Sequence, residues 1–411
     1  MTLSEDLVWR GLIKDHTFND LTWLDKPQTF YLGADAGSAN SLTVGNLAVF
    51  MLARRLLDAG WNTVLLMGGA TSMIGDPGGK DSERELVNKE TVESNIAGVK
   101  EQVKKLFDGK DFILVNNHDW FKDIGFLEFL RDVGKHYSMT ELVQRDYIVD
   151  RIGQGGTGIS YAEFSYSLIQ GYDFWHLFTA QDVVLQIGGS DQWGNMLSGV
   201  PLIRKKEGKE AHAMSMPLVI NKSTGKKFGK SEEGAVWLDE QKTSAFKFYQ
   251  FWLNAGDLDA IDYLKIFTLL DKNEINSLSE EMNSNAAVRS AQKRLAYEVT
   301  SIVHGKERAE AAQHITGVLF GTEDFLKLSV AETEMLKKEL SRVTTTTDIH
   351  ADLVALGLAR SKSESRQFLA SGAVTINGVK VNEGSASQTL VGGLNLVKRG
   401  KNNFGLLEVV K

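Results

Sequence analysis

Cysteine is absent, which excludes disulfides, thiolate zinc sites and a cysteine nucleophile and leaves only oxygen or imidazole to hold a metal. Proline is scarce, with 4 residues. Long apolar runs are missing too: the longest, Leu47–Ala53, is far short of the roughly 18 residues a membrane helix requires. Met1–Arg10 has no basic segment followed by an apolar core, so a cytoplasmic protein with no membrane contact is expected. Basic charge does not predominate either. The formal charge of -7 over 411 residues argues against uniform coating by nucleic acid. That average hides an asymmetry, because Ile349–Lys411 holds 8 Lys and Arg against 4 Asp and Glu, whereas the rest holds 38 against 49. Charge alone is divided between ordinary surface variation and an RNA contact.

What is present, 42% hydrophobic and 24% charged residues, predicts a globular chain of two or three domains. Thr29–Gly33, Thr63–Gly68, Phe112–Val115 and Val183–Ile187 are short apolar runs ending in Gly or polar residues, as buried parallel strands do. Between them, Leu42–Ala59 and Thr91–Phe107 repeat apolar residues at helical spacing. The alternation predicts an α/β, Rossmann-like doubly wound parallel sheet, whose ligand lies at the carboxyl ends of the strands. Beyond about Lys230, Thr243–Leu253, Ala260–Leu270, Ala286–His304 and Lys306–Leu319 read as helices. Leu336–Asp348, with four consecutive threonines, has the composition of a linker. A small α+β unit follows: two helices, Ile349–Leu356 and Ser361–Ser371, and a hairpin over Ala373–Val381 turning at Asn377-Gly378.

Three clusters carry chemistry. Tyr31 to Asn46 runs from a strand through a small-residue loop into a helix start, where unpaired backbone donors can meet an anion; a plain chain reversal has the same composition. It matches neither G-x-G-x-x-G nor G-x-x-x-x-G-K-[ST]. Gly68 to Arg84 contains Asp76, suited to an ammonium, and Lys80 and Arg84, suited to phosphates; solvated loop charges are the alternative. Lys226-Lys227-Phe228-Gly229-Lys230-Ser231 sets three ammonium groups around a glycine, as a basic surface loop also would. Trp193 and Trp237 read as packing residues, and His118, His136 and His176 lack paired metal-ligand spacing.

Taken in order with Phe164 to Asp173 and Leu185 to Asn195, these strings resemble bacterial-type tyrosyl-tRNA synthetases from about Asp20 to the C-terminus. The resemblance implies a class I catalytic domain over residues 1–230, with a dimer-interface insertion near 118–150. It further implies an α-helical anticodon-binding domain over 231–335, a linker over 336–348 and a small RNA-binding domain over 349–411. The implied reaction joins tyrosine to ATP, forming tyrosyl-adenylate and pyrophosphate, and then passes tyrosine to the terminal adenosine of tRNA(Tyr). ATP is a substrate, Mg2+ comes with it, and no metal is held by the protein.

By similarity, Tyr31 and Asp173 bind the phenol, while Asp76, Tyr166 and Gln170 surround the α-ammonium, with Gln192 near the carboxylate. Gly33, Asp35, Gly45, Gln186, Gly189 and Asp191 line the nucleotide, and Lys80, Arg84, Lys227 and Lys230 face the phosphates. Where most members have His-Ile-Gly-His, this chain has Thr43-Val44-Gly45-Asn46, preceded by a loop one residue longer with Ala36 in place of proline. Asn46 can still donate to a ribose or ring oxygen. Thr43 reaches less far than imidazole, so weaker γ-phosphate stabilisation, or help from Ser38, is expected. In the last domain, Lys362, Arg366, Lys398, Arg399 and Lys401 become phosphate contacts, and Phe121 to Ile148 with Tyr161 becomes a homodimer surface. Two alternatives remain at this point. A tryptophanyl enzyme needs no Tyr31/Asp173 pair, and a synthetase-derived RNA-binding or splicing factor needs no catalysis.

Overall fold

The computed structural model describes residues 1–35, 37, 39–75, 88–153, 156–222, 225, 228–231, 234–346 and 348–410, with the backbone alone for Lys89, Asp146, Tyr147, Lys230 and Ser231. Two compact units result: residues 1–244 with 251–303, and residues 245–250 with 304–411.

The first unit is built on six strands: β1 (Asp15–His16), β2 (Thr29–Ala34), β3 (Asn62–Met67), β4 (Ile113–Asn116), β5 (Val183–Gly189) and β6 (His212–Met216). Their order is β1-β6-β5-β2-β3-β4, parallel except for the edge pair β1–β6. The four expected strands are present within a residue or two. The cores of β2 and β3, such as Phe30, Leu32, Val64 and Leu65, are at most 2% exposed, which is why these strands read as apolar runs rather than alternating ones, whereas β4 at the sheet edge is only partly buried. The chain runs outward from β2 through β3 to β4, and returns through β5 to β6. The topological switch point therefore lies between β2 and β5, where the connections leave in opposite directions and a crevice opens at the carboxyl ends.

Two helices fix that crevice. Val44–Asp58 buries Leu47, Phe50, Met51 and Leu52, each fully buried apolar side chain contributing ~2 kcal/mol relative to exposure. Tyr161–Gln181 opens with a Ser160/Glu163 capping box and ends at Asp182 in the left-handed region, φ +51°. Its Gly171 is required by a close approach, because a Cβ there would lie 2.0 Å from the Tyr137 hydroxyl. That hydroxyl donates to the Ser198 carbonyl at 3.0 Å. Further helices in this unit are Asp257–Phe267, Lys272–Ser284 and Ser290–His304, the last entering the second unit at its final residue. A short antiparallel pair joins β7 (Lys230–Ser231) to β8 (Gly234–Ala235).

The second unit contains the helices Lys306–Phe320 and Val330–Lys337 and a five-stranded sheet. Its strands are β9 (Arg342–Thr344), β10 (Val374–Ile376), β11 (Val379–Lys380), β12 (Gly393–Arg399) and β13 (Asn403–Val409), in the order β11-β10-β12-β13-β9. Asn377 and Gly378 have φ of 49° and 81°, the two positive values a tight two-residue hairpin turn needs. Helices Ile349–Ala355 and Lys362–Ala370 cover the sheet over a core of Leu353, Leu369, Val374, Ile376, Val397 and Leu407. The segment expected to be a linker is partly structural: β9 pairs in parallel with β13, and Thr345 and Thr346 donate their hydroxyls to buried Asp352 at 2.6 and 2.9 Å. Threonine runs suit a strand as well as a loop, and Asp352 sits beyond the reach of local pattern. Among the described residues no helix is long and apolar enough to cross a membrane.

Candidate active site

Tyr31 lies in β2 directly opposite Gln186 of β5, at the switch point. Parallel neighbours in register share a face of the sheet, and on that face the Tyr31 ring packs at 5.3 Å from Phe174 of the helix Tyr161–Gln181. Asp173, the residue before Phe174, is 1% exposed and acts electrostatically on the Tyr31 hydroxyl, as does Tyr166. The expected phenol-binding pair is thus brought together. Burial, reinforced by Asp173, drives the Tyr31 pKa well above the ordinary phenol range, so its hydroxyl keeps its proton and is a donor. That hydroxyl has no hydrogen-bond partner among the described residues.

Asp173 shows what the sequence did not disclose. Burial pushes its pKa up to about 8, opposed by hydrogen bonds from Asn117 and Trp120. Trp120 Nε1 donates to Oδ1 at 2.9 Å and Asn117 Nδ2 to Oδ2 at 3.1 Å. Asn117 is fully buried at the end of β4, and its Oδ1 accepts from the Ala70 backbone N–H at 2.7 Å. One side chain therefore joins the carboxylate of the pocket to the helix Gly69–Ser72, just after β3. Trp120 in turn stacks on His176, ring centroids 4.4 Å apart, which gives that histidine a packing role. The only sequence signal for Asn117 and Trp120 was their place just after a strand end.

Tyr166, Gln170 and Asp173 lie three and seven residues apart on one regular helix and so share a face, as the spacing predicted. Gln186 is buried and its Oε1 has no partner among the described residues. After β5 the chain turns, and a Cβ on Gly189 would lie 2.7 Å from Oδ1 of the exposed Asp191, so that carboxylate stands close against the Gly189 backbone. Gln192 Oε1 accepts from Asn195 Nδ2 at 3.2 Å. On the β2 side, Gly33 is exposed at the strand end. Asp35 Oδ1 accepts from the Gly37 N–H at 2.8 Å and from the Ser72 hydroxyl at 3.1 Å, drawing the first two clusters to one end of the sheet.

At the start of the helix Val44–Asp58, Thr43 and Asn46 turn into each other. Asn46 Oδ1 accepts from the Thr43 N–H at 3.0 Å and from its hydroxyl at 2.9 Å. The pair closes the cap, and the exposed Asn46 keeps its amide N–H groups as outward donors. The third cluster meets this point: Val44 N–H donates to Val236 O at 3.0 Å, and a Cβ on Gly229 would lie 3.1 Å from the Gly45 nitrogen. The Gly229 backbone therefore stands against the start of the helix that follows β2. Asp76, Lys80, Arg84, Lys227, Ala36 and Ser38 lie outside the described residues, as does the Lys230 side chain.

In the second unit Arg366 and Lys401 are exposed. Lys362 pairs with Asp348 at 2.7 Å, Lys398 Nζ donates to Leu319 O at 2.8 Å, and the Arg399 guanidinium lies 4.9 Å from the Phe368 ring centre.

With this geometry in place, comparison with known proteins gives a consistent result. Residues 24–321 match the family model of class I tRNA synthetases (W and Y), and residues 332–407 match that of the tyrosine–tRNA ligase SYY-like C-terminal domain. Among curated proteins, the chain is 41% identical to tyrosine–tRNA ligase 2 of Bacillus cereus, covering 100% of both chains. It is 44% identical to the tyrosine–tRNA ligase of Staphylococcus haemolyticus, covering 98% of both. Among solved structures, a C-terminally truncated mitochondrial tyrosyl-tRNA synthetase of Aspergillus nidulans superposes with a TM-score of 0.69 at 32% identity, over 78% of this chain and 94% of that one.

Proposed function

Because the chain belongs to the class I tRNA synthetases of the tryptophan and tyrosine group, we propose that it is a tyrosine–tRNA ligase that activates tyrosine with ATP and charges tRNA(Tyr). The observation that carries the choice of amino acid is the Tyr31/Asp173 pair. A buried hydroxyl donor beside a buried carboxyl group, with Asn117 and Trp120 filling only part of the carboxylate's accepting capacity, suits a phenol that both accepts and donates. Phenylalanine would leave the buried Tyr31 hydroxyl without a partner and the remaining accepting capacity of Asp173 unfilled, and is rejected for that reason. The phenol, donating to Asp173, adds a hydrogen bond that favours the ionised carboxylate against the burial that opposes it.

The first step needs no general base, since the tyrosine carboxylate is ionised at neutral pH. Its oxygen forms a bond to the α-phosphorus as the bond to the β-phosphate oxygen breaks and pyrophosphate leaves. The work of the site is alignment and neutralisation of developing phosphate charge. We assign tyrosine's ammonium to Asp76, Tyr166 and Gln170, its carboxylate region to Gln192, and the nucleotide to Gly33, Asp35, Gly45, Gln186, Gly189 and Asp191. Lys80, Arg84, Lys227 and Lys230 neutralise the phosphates. Thr43 acts through Asn46, whose outward amide donates to the nucleotide. Mg2+ enters with ATP, whose phosphate oxygens supply ligands; the described residues contain no group of three or more acidic or histidine side chains arranged to hold an ion.

In the second step a hydroxyl of the terminal adenosine attacks the tyrosyl carbonyl and AMP leaves. Residues 231–335 are assigned to the anticodon and 349–411 to further RNA contact, where Arg366 and Lys401 offer the freest cations and Lys362, Lys398 and Arg399 must share theirs with protein partners. Exposed Phe126, Leu127, Met139 and Tyr161 support a homodimer through the 118–150 insertion, and the cytoplasm is the expected compartment. Tyrosine-dependent ATP–pyrophosphate exchange tests the reading. Exchange with tyrosine and not tryptophan is expected; exchange with tryptophan alone replaces the substrate, and none with either removes the enzyme in favour of an RNA-binding factor.

A further inference from the structure

The helix start that carries Thr43 and Asn46 is held from outside by a second helix, Lys89–Leu106, which opens with Asn88 accepting from the Thr91 N–H at 2.9 Å. Val92, Val99, Val103 and Leu106 bury one stripe of that helix. Gly98 and Gln102 lie one turn apart on it, and both meet the backbone that leads into Thr43. A Cβ on Gly98 would lie 2.2 Å from the Asn40 carbonyl oxygen, so the helix reaches that backbone because no side chain intervenes. Gln102 Oε1 accepts from the Leu42 N–H at 2.8 Å and lies 3.4 Å from Ser41 Oγ.

Ser41 is a junction. Its buried hydroxyl donates to the Leu42 carbonyl at 2.9 Å and accepts from the Asp239 N–H at 3.2 Å. The Leu42 carbonyl accepts in addition from the Leu238 N–H at 2.9 Å. Three segments distant in sequence, around residues 41, 102 and 238, are thus joined at the residue before the helix cap. The same two helices meet again further along, where buried Arg54 of Val44–Asp58 donates to the Leu106 carbonyl at 2.8 Å, a cation at the negative end of a helix. Leu42 is itself buried, so loss of the Gln102 carbonyl leaves its N–H unpaired. Repair requires the Leu42 backbone to shift, and Thr43 shifts with it.

We propose that Gln102 is a positioning residue for tyrosine activation: its side-chain carbonyl fixes the Leu42 backbone, and with it the Thr43–Asn46 cap that presents the Asn46 amide to the nucleotide. The inference rests on the assignment of Asn46 made above. Gln102 touches no reactant. It acts on the nucleotide end, because Asp173 at the phenol end is held by Asn117 and Trp120 instead. Misplacement of a contact by about 1 Å costs on the order of a hundredfold in rate.

The test is a double-mutant cycle on the full-length chain, read by tyrosine-dependent ATP–pyrophosphate exchange. Gln102→Met keeps the side-chain length and removes the acceptor; it should lower kcat/KM for ATP about tenfold while the tyrosine KM stays within about twofold. Gln102→Glu, which returns an acceptor to the same place, should recover most of that loss. In an Asn46→Ala background, Gln102→Met should lose distinctly less than in the wild type, because the group it positions is gone. An equal fold-loss in both backgrounds overturns the proposal, as does a Gln102→Glu variant no better than Gln102→Met, or a tyrosine KM that rises as much as the ATP KM. Should Gln102→Met fail to fold, the cycle is run with Ser41→Ala, which loosens the same junction from its other side, and judged by the same criterion. Unchanged ATP kinetics in Asn46→Ala alone would instead remove the assignment of Asn46 to the nucleotide, and this inference with it.

Discussion

The two ends of the crevice are built on opposite principles. At the phenol end, Tyr31, Asn117 and Asp173 are at most 1% exposed, and the carboxylate is held by two named donors. At the nucleotide end, Asp35, Gly45, Asn46 and Asp191 are exposed, and close approach is arranged by backbone, through Gly189 and Gly229. The difference follows from the tasks. Telling one uncharged ring from another needs desolvated partners that lose their hydrogen bonds when the wrong ring enters. Neutralising a triphosphate needs cations that can approach a group already carrying its own solvent and metal, so exposure is tolerated there.

The contrast predicts a ranking of effects. The largest belongs to the carboxylate itself: Asp173→Ala should reduce tyrosine activation on the order of a thousandfold or more and leave tRNA binding nearly unchanged. Near-normal exchange in that variant would mean the phenol pocket is elsewhere. Next come the cations, where Lys227→Ala or Lys230→Ala should lower kcat on the order of a hundredfold with little change in tyrosine KM, the reverse of the pattern at the phenol end. A rise confined to tyrosine KM would collapse the distinction between the two ends.

A smaller effect is expected from the supports of Asp173. Asn117→Ala or Trp120→Phe removes one hydrogen bond to the carboxylate that bound tyrosine favours, ~1.5–3 kcal/mol, and should raise tyrosine KM about ten- to a hundredfold. The last effect is read on stability rather than on activity, as a pH dependence. The folded protein holds the Asp173 proton up to about pH 8, whereas the unfolded chain releases it near 3.8, so between these values unfolding releases a proton and rising pH favours it. Wild type should therefore lose stability relative to Asp173→Asn as pH rises from about 4 to 8 without tyrosine, and saturating tyrosine should reduce the slope. Parallel denaturation midpoints for the two proteins across that range would contradict a proton held on Asp173.

Much of the catalytic unit was legible because its signals are local. Parallel strands announce themselves as apolar runs, and the buried β2, β3 and β5 and the partly buried edge strand β4 fell where Thr29, Thr63, Val183 and Phe112 begin theirs. The Asn377-Gly378 turn was legible because its two positive φ angles restrict composition. Strand β6 was not read. His212-Ala213-Met214-Ser215-Met216 contains no β-branched residue, and its place is secured by pairing with β5 and β1, which is information from elsewhere in the chain. Strand β9 was hidden for the same reason, its partner β13 being some sixty residues away in sequence. In the site, Tyr31, Asp173 and Gln186 were named by resemblance, while Asn117 and Trp120 were missed: neither forms part of a local motif, and each reaches the pocket through a carboxylate more than fifty residues further along.

The order of apolar runs, glycines and cations along the chain determined that a doubly wound sheet would form and which end of it would bear chemistry, because strand burial, helix starts and tight turns depend on residues within a few positions of one another. Only the tertiary structure decided that Asp173 would be buried beside Tyr31 between two donors, that Thr43 would spend its hydroxyl on Asn46, and that Gln102 would accept from the Leu42 backbone. Each of these depends on desolvation and on partners distant in sequence, and neither exists until the elements have packed.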